Sequence, residues 1–350
     1  MFPYLPLARR RAVGPWRLIP REQLDAGDCT NAQLVAHAQA VWRLYRMPGG
    51  AAGYGCFVCR DGQPVGAEVD TTGLRTLHDA VCVSLLDQNP SRAVAGMVDD
   101  YNTAHRMCTT ENALPFGHRF EADLYTGYET GTMVVNRVGG PKIGETVDAI
   151  EPPNDMHLPL MRPQFDHVYA QALYEVIAGL GENDPDLPGA VRWLELAWTN
   201  SATVDTPARI LALRAGFDVL FGGATTATIR GQLSALLDEP DALRTEHEWV
   251  DHGNERRAEL TELEWWFQSF ALLRNKIAHG GEIADAEFLF DDGVPHHWHG
   301  EWQLRRAVKQ TVANAGHPDV LLDPFERAMQ QAIPQLEQAI EQDARDADHI

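Results

Sequence analysis

The stretch Thr261–Ile283, TELEWWFQSFALLRNKIAHGGEI, reads as one long apolar helix with a charged anomaly near its end. At about 100° per residue, Leu263, Phe267, Phe270 and Ile277 share one stripe, and Arg274 falls inside it. A guanidinium on an apolar stripe needs an anion, a hydrogen-bond partner or an interface, because burying an unpaired charge is costly. His279 lies five residues further on, about 140° round an ideal helix, so a straight helix would not put it beside Arg274. Gly280-Gly281 is a stop signal, which predicts a helix over about 261–279 and frees the imidazole from helical geometry. A histidine there also meets the negative end of the helix dipole, which favours its charged form. An arginine that holds an anion and a histidine that moves a proton make a candidate catalytic pair.

This pattern resembles the HEPN superfamily, whose ribonuclease members carry Arg, four to six residues and then His at a helix end, with a polar residue after the Arg. Here that residue is Asn275. The Apea-like branch is the most similar, and its upstream helix corresponds to TPARILALRAGFDVLFGG, Thr206–Gly223. The resemblance covers about 165–285. It implies a helical bundle and a metal-independent endoribonuclease without a cofactor, in which the RNA 2′-OH attacks the adjacent phosphodiester. Arg274 would hold the phosphate, His279 would act as general base or acid, and Asn275 would orient the pair. Lys276 and Asp218 are carried over as substrate-binding candidates, Asp218 either pairing with Arg214 at i+4 or orienting Arg274. The resemblance further implies a homodimer with the motifs face to face, and a setting in phage defence or stress response. The rival expectation is a non-catalytic dimeric interaction or ligand-sensing protein, with Arg274 as a structural ion-pair partner.

Composition bounds these readings. With 350 residues the chain can hold two domains, and a hydrophobic content of 44% is that of a globular protein. A formal net charge of −21 argues against unspecific nucleic-acid binding and predicts a low-affinity RNA contact through a local site. Lysine is confined to Lys142, Lys276 and Lys309. No apolar run approaches the roughly 20 residues that span a membrane, and MFPYLPLARRR has the wrong order for a secretory signal, so a cytoplasmic, non-membrane protein is expected. Cys29, Cys56, Cys59, Cys82 and Cys108 are an odd number and fit free thiols. Cys56 and Cys59 form a lone CxxC on a strand, with no second pair to complete a zinc site.

The fold class expected is α+β. Residues 1–160 form a mixed domain of unknown role, with helices in TNAQLVAHAQAVWRLYR and TTGLRTLHDAVCVSLLDQ and a hairpin or meander in HRFEADLYTGYETGTMVVNRVGG. Four prolines mark 151–164 as a linker. Residues 165–345 form the helical domain with a C-terminal extension. Asp166 caps its first helix, and Thr206-Pro207 opens the long one. The charged stretch 239–260 is expected to be a loop or exposed helix, with His247 and His252 solvated. Residues 286–302 read as a short strand and turn, and amphipathic helices are expected near 301–315 and 323–343. His296, His297 and His299 suggest a metal site with Asp291 or Asp292, but on an extended stretch only His297 and His299 share a face, so a surface turn is preferred. Trp265 and Trp266 face two sides of the motif helix, as core or dimer contacts.

Overall fold

Helices dominate the described part of the molecule. Its computed structural model describes residues 7–29, 55–65, 71–86, 165–180, 186–198, 205–223, 225–237, 242–251 and 253–322. It also describes residues 35 and 67 and the pieces 46–47, 50–51, 124–127, 132–135 and 326–327. The fold is mixed α and β, and mostly helical.

A small sheet comes first. β1 (Arg11–Val13) turns at Gly14 into β2 (Trp16–Pro20). A two-residue ladder joins β3 (Arg46–Met47) to β4 (Gly50–Ala51). β5 (Cys56–Arg60) then pairs antiparallel with the free edge of β2. Gly14 has φ 53°, and a Cβ there would lie 2.2 Å from the Tyr174 ring. Its N–H donates to Gln171 Oε1 at 2.7 Å, so only a glycine lets the turn dock this closely. The helix of TTGLRTLHDAVCVSLLDQ forms as expected, as α1 (Thr71–Leu86). In the stretch expected to be a hairpin or meander, β6 (Leu124–Gly127) and β7 (Thr132–Val135) pair antiparallel.

The helical part follows. α2 (His167–Gly179) is capped by Asp166, whose carboxylate accepts from the Tyr169 N–H. α3 (Leu187–Trp198) packs along α4 (Thr206–Leu220). The cap of α4 is Asp205, one residue earlier than expected: its carboxylate reaches the Ala208 N–H, while Thr206 and Pro207 form the first turn. α5 (Thr226–Leu237) leads to a hairpin of β8 (Thr245–Asp251) and β9 (Asn254–Leu260). That hairpin replaces the loop or exposed helix expected over 239–260. Its turn is made by Gly253 at φ 77°. His247 is half-buried and stacks on Trp265 at 4.5 Å.

α6 (Glu262–Ala278) begins in a complete capping box, with Thr261 and Glu264 each accepting the other's backbone N–H. α7 (His296–Asn314) starts five residues before the expected 301, so the HHWH run is a helical first turn and not a strand or surface turn. His296 and His297 are buried. α4 lies against α6 and α7. Phe217 meets Phe267 edge-on at 5.2 Å, and Gly216 lets Leu304 approach to 2.6 Å from where a Cβ would be. Trp266 is core and stacks on Phe270, while Trp265 lies at the hairpin side and donates to Asp291 at 2.7 Å. One apolar cluster runs from Val13, Trp16 and Leu77 through Tyr169 and Leu213 to Phe267 and Val308. The helix expected over 30–46, the linker at 151–164 and the helix at 323–343 lie outside the described residues, apart from single residues and short end pieces. No helix among the described residues is long and apolar enough to cross a membrane.

Candidate active site

The last turn of α6 positions the candidate pair. Gly281 N–H donates to the Lys276 carbonyl at 3.0 Å and Gly280 N–H to the Ile277 carbonyl at 3.1 Å, while Gly280 stands at φ 68°. These two bonds and the left-handed glycine are a Schellman stop, which closes the helix one residue past His279. His279 is therefore the C-cap, with its own N–H bonded to the Asn275 carbonyl. Its side chain is exposed, and among the described residues it makes no hydrogen bond or ion pair.

Arg274 sits at the rim of the core, half-buried, one turn beyond the fully buried Phe270. Its Nη1 donates to Asn275 Oδ1 at 3.1 Å. Its Nε is buried and has no hydrogen-bond partner, and among the described residues no carboxylate pairs with the guanidinium. Other cations of α4, α6 and the foot of the strand hairpin are matched. Arg214 bonds Asp218 at 3.0 Å and Thr226 at 3.3 Å and lies over the Phe267 ring. Arg244 bonds Glu264, and Lys276 bonds both oxygens of Glu287 at 2.6 and 2.8 Å. Hydrogen bonding from Lys276 lowers the Glu287 carboxyl below its ordinary range. Of the residues expected at the site, then, the structure joins Arg274 to Asn275 and leaves His279 open on the next turn. Asp218 is taken up by Arg214, and Lys276 by Glu287. The acid of the 285–288 turn was missed in sequence because it lies eleven residues beyond Lys276, with Gly280-Gly281 between.

The histidine run forms no metal cluster. His299 Nε2 pairs with Asp292 Oδ2 at 2.8 Å across the turn before α7. His296 packs on Phe290, and burial pushes its imidazole down to about 4, helped by the charge of His299. Among the described residues, no three ligand atoms of this region converge as a cation would require. No protein-family model matches the chain, and no curated protein or solved structure matches it significantly.

Proposed function

We propose that this protein is a metal-independent endoribonuclease of HEPN type, with a HEPN-like helical domain preceded by a mixed N-terminal domain. One observation supports the reading above others. In a chain with 50 acidic residues against 29 basic ones, Arg274 stands half-buried beside Asn275 with no carboxylate partner among the described residues, five residues before an exposed histidine that none of them bonds. A half-buried guanidinium with an unused donor attracts an anion, and a phosphodiester matches its fork of donors.

In the proposed reaction the RNA 2′-oxygen forms a bond to the adjacent phosphorus, and the bond from phosphorus to the 5′-oxygen breaks. The 2′-hydroxyl proton leaves to an imidazole, and the departing 5′-oxygen takes a proton from one. The products are a 2′,3′-cyclic phosphate and a 5′-hydroxyl. His279 supplies the base or acid. Arg274 holds the phosphate and stabilises the charge that develops on it, and Asn275 fixes the plane of the guanidinium. A homodimer facing its motifs would bring two copies of His279 to one phosphate, one accepting and one donating. Phage defence or a stress response is the setting this reading suggests.

The test is an RNA oligonucleotide in which the ribose at a mapped cleavage position is replaced by 2′-deoxyribose. Cleavage at that position disappears, while the all-ribose RNA yields cyclic-phosphate ends. Continued cleavage of the 2′-deoxy substrate would contradict the mechanism. The absence of any cleavage would favour the rival, a non-catalytic dimeric interaction protein.

A further inference from the structure

We propose that His78, Cys82 and Glu195 bind one divalent transition-metal ion of the zinc class, which ties α1 to α3. His78 and Cys82 stand at i and i+4 on α1, so both side chains leave the same face of the helix. Glu195 reaches them from α3, which packs against α1. One ligand atom from each lies within 4.8 Å of the others. His78 Nδ1 is 3.8 Å from Cys82 Sγ and 3.6 Å from Glu195 Oε1. A tetrahedral ion with bonds of ~2.0–2.3 Å holds its ligand atoms about 3.3–3.8 Å apart, so only small side-chain turns separate this arrangement from a coordinated one.

The donor set selects the ion. One nitrogen, one sulfur and one oxygen suit zinc-class metals, while calcium and magnesium demand oxygen shells. Around the three stands a further carboxylate. Asp79 is buried, its Oδ1 is 3.5 Å from His78 Nδ1, and its Oδ2 is 3.6 Å from Arg192 Nε. Cys82 is buried, whereas the His78 side chain is 32% exposed and leaves an entry path. None of these residues belongs to the Arg274–His279 motif, so the site stands whether or not the protein cleaves RNA.

The experiment uses full-length protein stripped by a chelator and titrated with Co²⁺ alone, then with Zn²⁺. The expected result is one equivalent of Co²⁺, a sulfur-to-cobalt charge-transfer absorption, its displacement by Zn²⁺, and a higher Tm with Zn²⁺ bound. Cys82→Ser abolishes the absorption and weakens Zn²⁺ binding by more than about 100-fold, since even partners one bond removed from a metal are worth roughly 10–100-fold. Should that variant fail to fold, Glu195→Gln carries the test by shifting the cobalt spectrum and lowering affinity. His279→Ala leaves both unchanged. No charge-transfer absorption in the wild type, or one untouched by Cys82→Ser and Glu195→Gln, would overturn the proposal.

Discussion

Arg274 and Lys276 stand two residues apart at one helix end, yet their surroundings differ. Lys276 is neutralised by Glu287, while among the described residues Arg274 meets only an amide oxygen. Its buried Nε is left without a hydrogen bond, a donor that an incoming anion could take up. Asp218 is the control. Its carboxylate holds Arg214, which is buried over Phe267. We expect Asp218→Ala to lower stability by about 1–3 kcal/mol, the scale for a lost bond to a charged group, with cleavage per folded molecule unchanged. Thermal denaturation and an RNA assay on the same sample check this. A loss of cleavage at full stability would instead place Asp218 in the site. Arg274 and His279 were legible in the sequence because helical phase and a glycine stop are local properties. The Arg214–Asp218 pair was legible too, as an i, i+4 spacing, whereas the partner of Lys276 was not, because it depends on the 285–288 turn folding back.

At the scale of elements, α6 is written from end to end: a capping box, an apolar stripe and a Schellman stop. The two ends predict different outcomes. Thr261→Ala removes the cap and costs about 1 kcal/mol, far from His279, so cleavage per folded molecule stays constant. Gly280→Ala meets no neighbour within 4 Å, but it must hold φ 68°, at a cost of ~1–2 kcal/mol. It also redirects His279, so activity falls further than the loss of fold accounts for. Urea titration beside an RNA assay separates the two. The hairpin Thr245–Leu260 escaped the sequence reading because its inward face is sparse: His247, Trp249, Ala258 and Leu260 among many charges. The signal present was Gly253 between two seven-residue strands, with Glu248 set opposite Arg257. The HHWH run misled by its composition. Its first two histidines open a helix whose N-cap is Pro295 and whose preceding turn is pinned by Asp292, a tertiary arrangement that local pattern does not carry.

For the whole molecule, no local pattern signalled that Val13, Trp16, Leu18, Cys56 and the buried face of α1 share a core with α2–α7. That sharing rests on close approaches such as Gly14 on Tyr174. The shared core also buries Glu301 of α7, and burial pushes its carboxyl up to about 8, against the opposing charges of Arg209 and Arg305. Between its ordinary value of 4.5 and about 8, the unfolded chain has released a proton that the folded chain still holds. Stability from this group therefore falls as pH rises through that window, by an amount on the order of a few kcal/mol. Glu301→Gln should flatten the decline, as read from Tm measured across that range; an unchanged slope would mean the group is not held protonated. The central claim is cleavage of RNA by Arg274 and His279 without a metal. Its most direct measurement is the rate at which purified protein cuts total RNA in EDTA, beside Arg274→Ala and His279→Ala, with circular dichroism showing all three folded in that buffer. The account predicts cleavage by the wild type and a loss of about 10²-fold or more in each variant. Wild-type cleavage that matches the variants, or that requires a divalent metal, would contradict it.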